Sequence, residues 1–119
     1  MSIVMNNTSE NVASGALAIA QGSGTTASGA VSHAEGSSTT ASGNASHAEG
    51  GSTTASGMAS HAEGSNTTAS GDASHAEGSN TLVSGHYAHA EGIGGQYRSD
   101  SHVDITSQAA GTASHTEGY

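Results

Sequence analysis

The sequence predicts an all-β solenoid built from fourteen-residue coils. Three observations predict it: a Gly at every seventh position, two kinds of heptad in strict alternation, and a period of two within each heptad. Gly stands at 15, 22, 29, 36, 43, 50, 57, 64, 71, 78, 85 and 92 without a miss. One heptad ends in Ser-His-Ala-Glu-Gly, as in Ser32 to Gly36, Ser46 to Gly50, Ser60 to Gly64 and Ser74 to Gly78. The other ends in Thr-Thr-Ala-Ser-Gly, as in Thr25 to Gly29, Thr39 to Gly43, Thr53 to Gly57 and Thr67 to Gly71. The true repeat is therefore the pair.

Each heptad reads as a short strand and a turn. Successive side chains of a strand point to opposite faces. Ser46, Ala48 and Gly50 then share one face, and His47 and Glu49 share the other. Thr39, Ala41 and Gly43 likewise oppose Thr40 and Ser42. The small face is the inward one, because two strands packed closely leave room only for Ala, Ser, Thr and Gly. Gly at the strand end supplies either a positive φ or a close backbone approach. Coils stacked at the β-ladder spacing of about 4.8 Å give the regular stretch a length of about 26 Å.

Competing architectures fail on composition. A coiled coil needs large apolar a and d residues, and Gly at this frequency would cost a helix roughly 1 kcal/mol each. Collagen needs Gly at every third position. Disorder needs composition but no register. The chain has no Phe, Trp, Cys or Pro and only three Tyr, so an ordinary core of large side chains is not available.

Charge narrows the partners. The formal net charge is −9, and Arg98 is the only Lys or Arg. Phosphate backbones and anionic lipid surfaces both require clustered cations, so neither nucleic acid nor a charged membrane surface is an expected partner. No stretch is long and apolar enough to insert into a membrane. Met1 to Glu10 does not read as a signal peptide, having no basic start and no apolar run. Stability summed along a thin stack is marginal alone, which argues for lateral association.

The pattern resembles the head repeats of the YadA-like trimeric autotransporter adhesins, over roughly Asn11 to Gly92 and again over Gln108 to Gly118. The match is Ser-x-Ala-x-Gly in one strand and Thr-x-Ala-x-Gly in the other. The Ser-His-Ala-Glu-Gly form looks like repeats of phage or prophage appendage proteins. The resemblance implies a left-handed parallel β-roll, a homotrimer, and adhesion to a host surface or extracellular matrix outside the cell or on a virion. It places one outward column at the trimer interface: Ile19, then His33, Glu35, His47, Glu49, His61, Glu63, His75, Glu77, His89 and Glu91. Ile19 keeps the family's aliphatic residue where the later coils have His. The chain departs from the family in having no heptad stalk and no membrane anchor.

The His and Glu columns admit three readings. They form an interfacial zipper in which an imidazole of one chain meets a carboxylate of the next, or they face water and keep the roll soluble, or His33, His47, His61, His75 and His89 hold divalent metal. An interfacial ladder should make the assembly's stability change between about pH 7 and 5, where His ordinarily titrates, with its sign open. The second outward column, Thr26/Ser28, Thr40/Ser42, Thr54/Ser56 and Thr68/Ser70, suggests either a neutral face or an ice-binding one. No cofactor is implied. An enzyme is not the expectation, since an active site needs one tuned constellation and the chain offers repeated copies of a single element.

Register breaks after Gly92. We expect four segments: a cap or disordered lead over 1–10, regular coils over 11–92, an irregular insertion over 93–107, and a resumed coil over 108–119. Protruding loops often carry binding, so Tyr97, Arg98, Asp100 and His102 are the expected receptor contact.

Overall fold

A computed structural model describes residues 1–5, 10–93, 95–97, 103–105, 108–109, 111–113 and 115–118. The fold is an all-β parallel solenoid of fourteen-residue coils. Among the described residues, eight strands stack in one sheet and seven in a second. The first sheet carries the His-Ala-Glu strands, such as His33–Ser37, His47–Gly51 and His89–Gly92, and the second the Thr-Ala strands, such as Thr40–Ala41 and Thr54–Ala55. Pairing is in register throughout: His33 lies beside His47 and Glu35 beside Glu49, and Thr40 lies beside Thr54. Ile3–Met5 forms the first rung of the His sheet, with Ile3 beside Ile19. No helix among the described residues is long and apolar enough to cross a membrane.

The inward face is the small one. Ala20, Ala34, Ala48, Ala62, Ala76 and Ala90 from the His sheet meet Ala27, Ala41, Ala55, Ala69 and Val83 from the Thr sheet, and all are fully buried. Each buried methyl contributes only about 0.8 kcal/mol. The fold therefore rests heavily on its backbone ladder, in which the His47 N–H donates to the Ser60 carbonyl at 2.9 Å and the Thr54 N–H to the Thr67 carbonyl at 2.9 Å.

The two heptads need their Gly for different reasons. Gly36, Gly50, Gly64 and Gly78, which end the His strands, have φ of 101° to 108°, a conformation that L side chains rarely adopt. Gly29, Gly43 and Gly57, which end the Thr strands, have no such φ. There a Cβ would lie 2.0 Å from the carbonyl oxygen of the Gly fourteen residues on. Positive φ and close approach, alternatives in the sequence, are thus divided between the two turns, and the first class has both.

Beyond these Gly, the turns place left-handed φ on residues that are not Gly. Leu17, Val31, Ala45, Ala59, Ala73 and Tyr87 occupy one turn and Ser38, Ser52, Asn66 and Asn80 the other, with φ between 51° and 59°. The conformation reverses the ladder. Strand N–H groups donate to the following coil, whereas the Ala45 N–H donates back to the Ala30 carbonyl at 2.8 Å and the Ser52 N–H to the Ser37 carbonyl at 2.8 Å.

Two buried hydroxyl columns behave differently. Ser32, Ser46, Ser60 and Ser74 donate to the carbonyl three residues earlier, across the turn, at 2.6 to 2.7 Å. The hydroxyls of Thr25, Thr39, Thr53 and Thr67 are buried and make no hydrogen bond. A buried unpaired hydroxyl costs about 1–3 kcal/mol, and a typical made bond contributes about 1 kcal/mol. Thr53→Val should therefore raise stability by about 1 kcal/mol, and Ser60→Ala should lower it by a similar amount. Urea denaturation followed by circular dichroism checks both, and equal effects in the two columns would contradict the difference in pairing.

The stack is interrupted once among the described residues. Thr68 pairs with Leu82, fourteen residues on, but Leu82 pairs with Gln108, twenty-six on. The twelve extra residues include Gly95–Tyr97 and Val103–Ile105, which pair antiparallel as a hairpin. The coil then resumes, with His115 beside His89 and Gly118 beside Gly92.

Candidate functional site: the His and Glu ladder

A parallel in-register sheet places identical side chains above one another, and alternation turns His and Glu of the same strand outward together. The rings of His33, His47, His61, His75, His89 and His115 form one stack. Successive centroids are 4.7 to 4.9 Å apart, and the planes are within 9° of parallel. Ile19 continues the column beside His33. His33 through His89 and Glu35 through Glu91 each keep about a third of their side-chain surface exposed in the single chain.

The ladder is cross-linked within the chain. Each carboxylate leans toward the ring of the following coil: His61 Nε2 lies 3.3 Å from Glu49 Oε1, His75 Nε2 3.1 Å from Glu63, and His89 Nε2 3.1 Å from Glu77. In these pairs the ring N–H donates and the carboxylate accepts, which places the proton of a neutral ring on Nε2. At the start of the stack the fit is looser. His47 Nε2 is 3.5 Å from Glu35 Oε1 and His33 Nε2 is 3.9 Å from Glu35 Oε2. Both Nε2 atoms are shielded from solvent, yet neither makes a hydrogen bond.

Sequence reasoning found the two columns and, in one of its three readings, put the imidazole–carboxylate contact between chains. It missed the contact between residues twelve apart in one chain, such as Glu49 and His61. The signal was present, because a Glu two residues past one His is twelve residues short of the next. It also left His115 out of the column, although Ser114-His115-Thr116-Glu117-Gly118 repeats the pentad.

The other expected contacts are placed as follows. Thr26, Thr40, Thr54 and Thr68 form an outward row in register, which Leu82 ends. Of the expected receptor residues, Tyr97 ends the first strand of the hairpin, and Arg98, Asp100 and His102 lie outside the described residues. One turn carries exposed apolar side chains that sequence reasoning did not single out: Leu17, Val31, Met58 and Tyr87. No protein-family model matches this chain, and no curated protein matches it either.

Proposed function

We propose that this chain is a structural and adhesive head module, three copies of which associate side by side as left-handed β-rolls on a bacterial surface or a phage appendage. The observation that carries the reading is the register of the coils, unbroken from Ile19 to Gly92. It makes a stiff rod whose outward columns repeat at every rung. The resemblance to YadA-like head repeats supports adhesion and the trimer. Shared burial would suit the column of Ile19, His33, Glu35 and their successors, whose side chains are only part-covered in one chain. Another copy of the same rod is the partner whose repeat matches at every rung.

Sedimentation equilibrium tests the assembly. The expected result is three times the chain mass, and a monomer overturns the trimer and returns the ladder to a solvent-facing role. An array of glycans and matrix proteins tests the adhesive part, with specific retention expected. A purely structural spacer is the second reading, favoured by the uniformity of the rungs, and it would show no retention.

A further inference from the structure

The ladder presents donor atoms in a set that fits a metal ion. Four groups each gather three of them within 4.8 Å: His33, Glu35 and His47; His47, Glu49 and His61; His61, Glu63 and His75; Glu77, His89 and Glu91. Imidazole nitrogen with carboxylate oxygen suits divalent zinc, nickel or copper. Donors that share one such ion at about 2.1 Å sit roughly 3.0 to 3.4 Å apart. The Nε2–Oε contacts of 3.1 to 3.3 Å at His61, His75 and His89 already meet that spacing, and the 3.5 Å contact of His47 with Glu35 lies just beyond it. The shielded Nε2 atoms of His33 and His47, 3.9 and 3.5 Å from Glu35, make no hydrogen bond, so neither is committed to another protein group. With a net charge of −9, the chain also attracts cations.

The geometry points to a row of divalent transition-metal sites within a single chain, in which no ring serves two ions, so the gap between His47 and His61 stays empty when the gaps on either side of it are filled. Two features impose this limit. Each ring offers one Nε2 on this face, and His47 and His61 each belong to two groups, so an ion in one gap denies that ring to the next. The rings also start 4.8 Å apart. Two of them must lean together by about 1.4 Å to share an ion, and this draws each ring away from its other neighbour. The largest set of groups that share no residue is the first, third and fourth, which makes three ions at saturation among the described residues. Binding displaces the Nε2 proton to Nδ1 or to solvent, so acid releases the ions. Each of these groups is complete within one chain.

The substitution pattern follows from the sharing of His47 and His61. Glu35→Gln leaves three groups, of which two share His61, so one ion is lost. Glu63→Gln also leaves three groups, of which two share His47, and one ion is again lost. Glu49→Gln removes a group that the saturated chain does not use, and uptake is unchanged. The test is equilibrium dialysis of the whole chain, without an oligohistidine tag, against zinc and separately against nickel in mildly alkaline buffer, with elemental analysis of bound metal. The expected uptake is about three ions for the wild type and for Glu49→Gln, and about one fewer for Glu35→Gln and for Glu63→Gln. Absence of saturable uptake overturns the proposal. So does an equal loss in all three variants, or no loss in any, since adventitious imidazole binding would not distinguish Glu49 from its neighbours.

Discussion

Gly57→Ala should abolish folding or cost more than about 4 kcal/mol, a loss seen only for gross defects. The added Cβ would stand 2.0 Å from the Gly71 carbonyl oxygen and 2.5 Å from its carbon. Those atoms are backbone of the next coil, so no side-chain rotation relieves the overlap. Separation would have to open the ladder on both sides, and each ladder bond contributes about 1 kcal/mol. Two adjacent Gly sharpen the test. Gly50 has φ of 103° and its Cβ would lie 2.1 Å from the Gly64 oxygen, whereas a Cβ on Gly51 would meet nothing within 4 Å. Gly50→Ala should be as damaging as Gly57→Ala. Gly51→Ala should change stability by less than about 0.5 kcal/mol or raise it slightly, because Ala restricts the unfolded chain. Thermal unfolding followed by circular dichroism reads all three. Tolerance of Gly57→Ala would contradict the close approach of the coils.

Much of this architecture is legible in the sequence because it is a consequence of period. Alternation, with the small size of one face, assigned Ala48 and Ser46 to the inside and His47 and Glu49 to the outside, and the fourteen-residue repeat set which residues stack. What could not be read were the features that depend on where a peptide plane points. Nothing in the letters Asn44-Ala45 or Ala30-Val31 marks the second residue as left-handed, since Ala and Val ordinarily avoid that region. The requirement comes from the neighbouring coil, whose carbonyl needs a donor. The Glu-to-His contact was hidden differently. The column was visible and the twelve-residue spacing put each Glu within reach of the next ring, but which neighbouring ring the carboxylate leans toward is set by side-chain torsions. The hairpin beginning at Gly95 was legible only as a break in register, because a single copy of a segment has no period to read.

Replacing left-handed residues with Asn should stabilise the roll, most where the present residue is β-branched. An L residue in this conformation pays roughly 1–2 kcal/mol, and Asn enters it more readily. The protein supplies its own precedent, since Asn66 and Asn80 hold φ of 58° and 56° at the equivalent place in the opposite turn. Val31 and Ala59 are the sites to change. They lie two coils apart, about 9.6 Å at the ladder spacing, far enough for their effects to add. Ala59→Asn should gain about 0.5 kcal/mol, and Val31→Asn about 1 kcal/mol. The double variant should gain about 1.5 kcal/mol, read as a higher urea midpoint with an unchanged slope. Val31 carries a second meaning, because its side chain is exposed in the single chain and a β-branched residue at this φ is costly. If a second copy covers that turn, Val31→Asn removes buried apolar surface, and its gain should shrink as protein concentration rises, whereas the gain at Ala59 should not. A fall in midpoint for Ala59→Asn would contradict the strain itself, because that side chain is a single methyl and the substitution removes nothing larger.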